Sequence, residues 1–120
     1  MDLIDSIHQL KSLQVSAEYM HWITRSEPKH RVLEKLYTDL QEEIDHLVEC
    51  SLGSGLIHVN VFESRAIHLN LDQDILDQII NTKSFLNRAA SQLDKEPEIQ
   101  DIVYDIMNTL NKITYLLTLS

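Results

Sequence analysis

The chain contains very few residues that interrupt a helix. Its 120 residues include only two glycines and two prolines, the residue types that most often end or kink a helix. They stand at Pro28, Gly53, Gly55 and Pro97, so the stretches between them are free to form long helices. Apolar residues within those stretches recur at three- and four-residue spacing, which is typical of helices that bury one face. The sequence therefore predicts an all-α protein.

Four helices follow from this pattern. We predict them near residues 2–25, 28–52, 71–93 and 96–118. Ser26 is placed to cap the second helix, and Pro28 and Pro97 suit first turns. Residues 56–70 lack a helical period, so we expect an extended or irregular crossover there. Two short-turn helix pairs joined by one long connection predict a ferritin-like four-helix bundle with parallel second and third helices, forming a single domain over residues 1–120.

The charge balance limits the partners that the surface can attract. With 19 acidic and 10 basic residues, the net charge of −9 favours cations over DNA or an anionic membrane. A single cysteine, Cys50, excludes an intrachain disulfide and a cysteine-based zinc site, and it suits a reducing compartment. The sequence shows neither an apolar run of roughly 20 residues nor a signal-peptide pattern. We therefore expect a cytoplasmic protein without membrane association.

Histidines and an acid lie on both sides of the first predicted turn. A turn centred near Ser26 folds the first two helices antiparallel, which makes His21 and His30 neighbours. Glu34 lies one helical turn beyond His30 on the same face, at roughly 6 Å of rise. Two imidazoles and a carboxylate form a ligand set suited to iron, zinc or manganese. We therefore expect His21, His30 and Glu34 to be metal ligands.

A second acidic pair, Asp45 and Glu49, lies further along the second helix. At about 100° per residue, both lie within roughly 60° of the direction of Glu34. However, Glu34 and Asp45 are separated by about 16 Å of helix, too far for both to reach one ion. Either the pair is unrelated to the histidines, or the two half-sites meet across a two-fold axis between antiparallel subunits. Such an isologous dimer would contain two complete sites.

These residues together resemble a known signature. The matching positions are "HW" at 21–22, His30, Glu34, "LY" at 36–37, Asp45, Glu49 and Gly53, the glycine expected to end the second helix. The pattern resembles the inter-subunit ferroxidase signature of the Dps family, the ferritin-like mini-ferritins. The resemblance is specific for residues 18–53 and loose for residues 94–119. Glu34 stands where the family commonly has aspartate, and the chain is shorter than typical members.

The resemblance implies an activity and an assembly. Paired Fe(II) ions, held by His21, His30, Glu34, Asp45 and Glu49, would be oxidised by peroxide or dioxygen, with Glu49 as the bridging carboxylate. Oxidised iron could then be stored. The implied partners are further copies of the chain, at least a two-fold dimer and at most the family's twelve-subunit shell.

Trp22 is open to two interpretations. A tryptophan at this position is most simply a core aromatic that closes the end of the bundle. By the resemblance it would instead be an electron donor that protects against radical damage.

Two alternatives compete with the iron site. "EYMH" at 18–21 and "EIDH" at 43–46 are both Glu-x-x-His pairs, as di-iron carboxylate bundles use. The third and fourth helices offer no obvious inward glutamate to complete that arrangement, so we expect Glu18 and His46 to lie at the surface or behind the ligands. The second alternative is a helical structural or interaction protein that kept the bundle without iron chemistry.

We predict that the protein does not bind DNA directly with high affinity. Affinity for the phosphate backbone requires a basic surface, and the first lysine of the sequence, Lys11, comes after Asp2 and Asp5, so we expect no help from a lysine-rich tail. Electrophoretic mobility shifts at low salt, with a chelator present, should show weak binding at most. Tight, salt-sensitive retention of duplex DNA would contradict the prediction, whereas binding bridged by a divalent cation would disappear in the chelator.

Overall fold

A computed structural model describes residues 2–62 and 66–120 of the chain. Its helices are α1 (Asp2–Ile23), α2 (Glu27–Gly53), α3 (Ile75–Ser91) and α4 (Pro97–Thr118), with a short 3-10 helix at Val59–Phe62. The described residues contain no strand, which confirms the all-α prediction. Part of the predicted crossover, residues 63–65, lies outside the described residues.

The helix ends follow the capping chemistry of the sequence. The Ser26 side chain accepts the backbone N–H of Lys29 at 3.3 Å, and Pro28 lies in the first turn of α2, as predicted. Helix α3 begins at Ile75, four residues later than predicted, because Asp74 caps it by accepting the N–H of Leu76 at 2.7 Å. Acidic side chains suit this position because the N-terminus of a helix carries partial positive charge.

The four helices pack around one core. Helix α1 lies against α2 and α3, and α4 lies against the same two helices, which confirms a four-helix bundle. Fully buried leucines and isoleucines from every helix fill the centre, among them Leu10, Leu13, Leu36, Leu40, Ile79, Leu86, Ile106 and Leu110. No helix among the described residues combines the length and apolar character needed to cross a membrane.

Two polar contacts between the start of α1 and the end of α3 show the direction of α3. The Ser6 hydroxyl donates to the carbonyl of Phe85 at 3.0 Å. Gln92, just beyond α3, donates from its side-chain amide to Asp2 at 2.7 Å. The start of α1 therefore lies beside the end of α3, and these two helices run antiparallel.

Two buried serines of α1 hold the chain that leads into α3. The backbone N–H groups of His68 and Asn70 donate to the hydroxyls of Ser12 at 3.2 Å and Ser16 at 2.9 Å. The spacing is compatible, because four helical residues rise about 6 Å and two extended residues span about 6.6 Å. Residues 68–70 thus lie along α1.

Glu43 is a half-buried acid on the side of α2 that faces α4. Burial raises the pKa of its carboxyl above the ordinary value of 4.5, a hydrogen bond with Thr109 of α4 lowers it in part, and the charges of Asp39, Asp105 and Glu42 raise it further. One buried carboxyl oxygen, Oε1, has no hydrogen-bond partner among residues 2–62 and 66–120. The folded protein therefore favours the protonated form of Glu43 more than the unfolded chain does.

Glu43→Gln should stabilise the protein at pH 7. Above pH 4.5 the unfolded chain loses this proton first, so folding stability falls as pH rises through the window between 4.5 and the raised folded pKa. The glutamine variant does not lose stability in this way. Its excess free energy of unfolding over the wild-type protein should therefore shrink as pH falls toward 4. Urea unfolding without metal between pH 4 and 8 measures the difference, with Glu34→Gln as the control, because Glu34 is exposed on α2 and is not among the charges that raise the Glu43 pKa. An advantage of the Glu43 variant that does not change with pH would contradict the prediction.

Candidate metal centre

The site lies where α1 turns into α2. His21 belongs to the last turn of α1, and His30 and Glu34 belong to the first two turns of α2. His21 is buried, with 8% of its surface exposed, His30 is half-buried and Glu34 is exposed. The three residues therefore run from the interior of the bundle to its surface, and the site is open to solvent on the side of Glu34.

The three side chains converge as the sequence predicted. One ligand atom from each lies within 4.8 Å of the other two. The imidazole rings of His21 and His30 have centroids 4.2 Å apart and planes inclined by 31°. Ligands that share one ion at about 2.1 Å stand roughly 3–4 Å from each other, so the three side chains lie near the spacing that a shared ion requires.

Hydrogen bonds fix which nitrogen of each ring can bind an ion. His30 Nδ1 lies 2.6 Å from the carbonyl oxygen of His21, and His21 Nδ1 lies 3.1 Å from that of Glu18. A carbonyl oxygen can only accept, so both Nδ1 atoms carry hydrogen. In the neutral ring, the Nε2 atom then keeps a free lone pair. Metal-binding histidines are commonly oriented by such a bond from the other ring nitrogen.

The end of α1 explains why the His21 carbonyl is available. A helix leaves its last four carbonyls without intrahelical partners, and α1 ends at Ile23. Thr24 N–H still donates to the carbonyl of Met20 at 2.9 Å. The His30 ring satisfies the next carbonyl, that of His21, and so links the two helices directly.

Aromatic residues line the buried side and one flank of the site. The rings of Tyr37 and Trp22 lie 5.1 Å and 6.2 Å from the His21 ring. Tyr19 lies 5.1 Å from Trp22. Trp22 is 62% exposed, so the interpretation of Trp22 as a core aromatic that closes the bundle is wrong.

Asp45 and Glu49 do not join the triad within one chain. Both are exposed on α2, and the rise of the helix places them about 16 Å and 22 Å beyond Glu34. They border a separate groove between α1 and α2 with a volume of about 390 Å³. Their carboxylates are therefore accessible to another molecule but not to an ion held by the histidines of the same chain.

The two Glu-x-x-His pairs do not form a centre. Glu43 faces Thr109 of α4, and His46 is exposed, with its Nδ1 3.7 Å from Cys50 Sγ. Glu18 is half-buried, and its main-chain carbonyl, rather than its carboxylate, accepts the hydrogen bond from His21. Among residues 2–62 and 66–120, the group His21, His30 and Glu34 is the one place where three such side chains come together.

Comparison with known proteins gives one positive result. Curated proteins and solved structures give no significant match. A family described as a family of unknown function (DUF5856) matches residues 21–117, most of the chain. The match begins at His21 and includes every predicted metal ligand. The chain therefore belongs to the DUF5856 family.

Proposed function

We propose that the protein binds divalent iron through His21, His30 and Glu34 and, together with a second copy of the chain, oxidises it. The observation that carries this proposal is the pair of hydrogen bonds from Nδ1 to main-chain carbonyls. They leave the Nε2 atom of each neutral ring with a free lone pair, and one ligand atom from each of His21, His30 and Glu34 lies within 4.8 Å of the other two. Neutral imidazoles with this tautomer are ready to coordinate a metal ion.

The choice of iron rests on two arguments. Nitrogen and carboxylate ligands suit iron, and they also suit zinc and manganese. Iron is favoured by the resemblance to the Dps ferroxidase signature. Three ligands from one chain also leave coordination positions free, which an iron substrate needs if an oxidant is to reach it.

A ferritin-like topology is part of the proposal. The contacts of Ser6 with Phe85 and of Gln92 with Asp2 support an antiparallel α1 and α3. Since α1 and α2 are joined by a short turn, α2 and α3 would then run parallel. The bonds that hold residues 68–70 along α1 support a crossover between them.

A second copy would supply the remaining ligands. Asp45 and Glu49 are exposed on α2, as is Glu34, and the helix places all three within roughly 60° of one direction. Two chains related by a two-fold axis, with their α2 helices antiparallel, would bring Asp45 and Glu49 of one to His21, His30 and Glu34 of the other. Both sites of the dimer would then be complete. A twelve-subunit shell that stores iron in the cytoplasm is the larger assembly consistent with the resemblance.

The proposed reaction balances with two iron ions per site. Each Fe(II) gives one electron to a single hydrogen peroxide, which takes up two protons and leaves as two waters, and both ions become Fe(III). Carboxylate oxygens suit the product because hard ligands favour Fe(III). Trp22, next to His21 in the chain and with its ring centroid 6.2 Å from that of His21, would donate an electron to a stray radical.

A structural role is the second candidate. The 2.6 Å bond from His30 to the carbonyl of His21 satisfies the end of α1 without any metal. In this case the two histidines would hold the turn of a helical structural or interaction protein. The candidates differ in one measurable property, because only a metal site is stabilised by added metal.

Zinc, which has no redox chemistry, should stabilise the wild-type protein, and His21→Ala or His30→Ala should abolish that effect. Zinc at 100 times its dissociation constant would add about 2.7 kcal/mol to the free energy of unfolding. Loss of one ligand should weaken binding by at least about 100-fold. Thermal unfolding with and without zinc measures both. His58→Ala, in the exposed segment after α2, is the control. Equal stabilisation of all four proteins, or of none, would contradict the metal site.

Two inactive variants should recover ferroxidase activity when they are mixed. One carries His21→Ala and His30→Ala, and the other carries Asp45→Ala and Glu49→Ala. A heterodimer has one site with every wild-type ligand, so about half of its sites should be active. Formation of Fe(III) after mixing and subunit exchange measures the recovery. Verified heterodimers without activity would exclude the shared site.

A further inference from the structure

The outer side of α4 carries a stripe of residues whose order is the same in both directions. Its exposed positions are Tyr104, Asn108, Asn111 and Tyr115, which at about 100° per residue fall within roughly 60° of one another. Tyr104 is 45% exposed and Tyr115 is 61% exposed. The order tyrosine, asparagine, asparagine, tyrosine is symmetric about the point between residues 109 and 110. A two-fold axis through that point would pair tyrosine with tyrosine and asparagine with asparagine in a second copy.

The charged residues in this part of α4 lie to one side of the stripe. They are Asp105 and Lys112. Both lie within roughly 60° of the direction of Thr109, which hydrogen-bonds to Glu43 of α2, so they lie on the side of α4 that faces α2. The stripe itself is uncharged, on a chain whose net charge is −9. Two copies can therefore approach along it without the repulsion that their acidic surfaces would otherwise produce.

Helix α3 adds an exposed isoleucine beside this stripe. Ile80 is 65% exposed. It points roughly 160° away from Gln78, whose side chain donates to the carbonyls of Asn70 and Gln73 in the segment that leads into α3. Since residues 68–70 lie along α1, Ile80 lies on the opposite side of α3, which is the side nearer its other neighbour, α4.

One two-fold axis suits both helices. Helices α3 and α4 are joined by the short segment 92–96 and therefore run antiparallel. The Gln100 side chain donates to the carbonyl of Ala90 at 2.8 Å, which places these two residues at nearly the same level. Ten residues back along α3 and ten residues forward along α4 lead to Ile80 and Leu110. Ile80 therefore lies at the level of the centre of the stripe, and an axis through that centre and across α3 would bring two copies of Ile80 together.

Opposite charges on α3 lie at equal distances from Ile80. Asp77 is exposed and lies three residues before it, and Lys83 is half-buried and lies three residues after it. Neither forms an ion pair within residues 2–62 and 66–120. Antiparallel pairing of two α3 helices about Ile80 would place Lys83 of each copy beside Asp77 of the other. Opposite charges at equal distances from a two-fold axis are complementary in an isologous contact.

We infer that a second copy of this chain docks on the face formed by α3 and α4, with each helix antiparallel to its own counterpart, about a two-fold axis through Ile80. Ile80 and the tyrosines bury apolar surface, the asparagine amides hydrogen-bond across the axis, and Asp77 pairs with Lys83 on both sides of it. The face measures about 25 Å along α3 and about 20 Å across two helices, or of order 500 Å² per partner. Stable interfaces bury roughly 800 Å² per partner, so we expect a weak dimer with a dissociation constant in the micromolar range.

This face is separate from the candidate metal centre. The group of His21, His30 and Glu34 lies on α1 and α2, and α3 and α4 form the opposite side of the bundle. The docking therefore goes beyond the proposed function and does not depend on bound metal. Measurements in EDTA keep the two apart, because the absence of a zinc site would leave this contact unchanged, and the absence of the contact would leave zinc binding unchanged.

Cysteine crosslinking tests the position of the axis. In a Cys50→Ser background, Ile80→Cys should crosslink into a dimer with a short bismaleimide in EDTA, because the two copies of residue 80 meet at the axis. Leu119→Cys is the matched control, since Leu119 has the same 65% exposure but its two copies would stand about 28 Å apart along α4. Equal crosslinking of the two variants, or no crosslinking at about 500 μM, well above a micromolar dissociation constant, would overturn the inference.

Charge reversal tests the pairing of Asp77 with Lys83. Asp77→Lys and Lys83→Glu should each weaken the dimer about tenfold or more, because like charges would then meet on both sides of the axis. An equimolar mixture of the two variants should form a heterodimer, in which a lysine meets an acid on both sides. Sedimentation equilibrium in EDTA measures the dissociation constants, and circular dichroism checks that each variant is folded. A mixture that dimerises no better than its separate components would exclude this contact.

Discussion

The hydrogen bond from His30 to the carbonyl of His21 stabilises the end of α1 and also orients a candidate metal ligand. It satisfies a main-chain oxygen that the end of α1 leaves without a helical partner, and it orients an imidazole ring whose centroid lies 4.2 Å from that of the His21 ring. Because the bond connects the two helices directly, the separation of the two rings depends on the geometry of the turn. A longer turn between α1 and α2 would remove both the hydrogen bond to the His21 carbonyl and the close approach of the two imidazole rings.

Much of the architecture could be predicted because the breaks in the sequence are few and chemically explicit. Ser26 and Pro28 give the start of α2 nearly to the residue, while apolar periodicity alone placed the start of α3 too early. Leu71 fits the helical period of α3, but Asp74 offers a better cap, and local capping chemistry decided the boundary. Periodicity indicates which residues share a face, whereas a cap determines where the helix can begin.

The candidate site was predictable in its side chains but not in its main-chain partners. The spacing of His21, His30 and Glu34 around a turn was enough to bring them together. The carbonyls of Glu18 and His21, which fix the ring tautomers, have no signature in the sequence, since every residue has a carbonyl. The exposure of Trp22 was missed for a related reason, because residue type favours burial and only the packing of α1 shows which side of the bundle the ring occupies.

The two serines that hold His68 and Asn70 to α1 divide the long connection into two functional parts. After His68, the chain into α3 is held against α1, so a change of length there would shift the start of α3. Before His68, added residues would cost little loop-closure entropy, because that cost grows slowly with loop length. Their effect would fall on the groove that Phe62 and Ile67 line, while the four-helix core keeps its register.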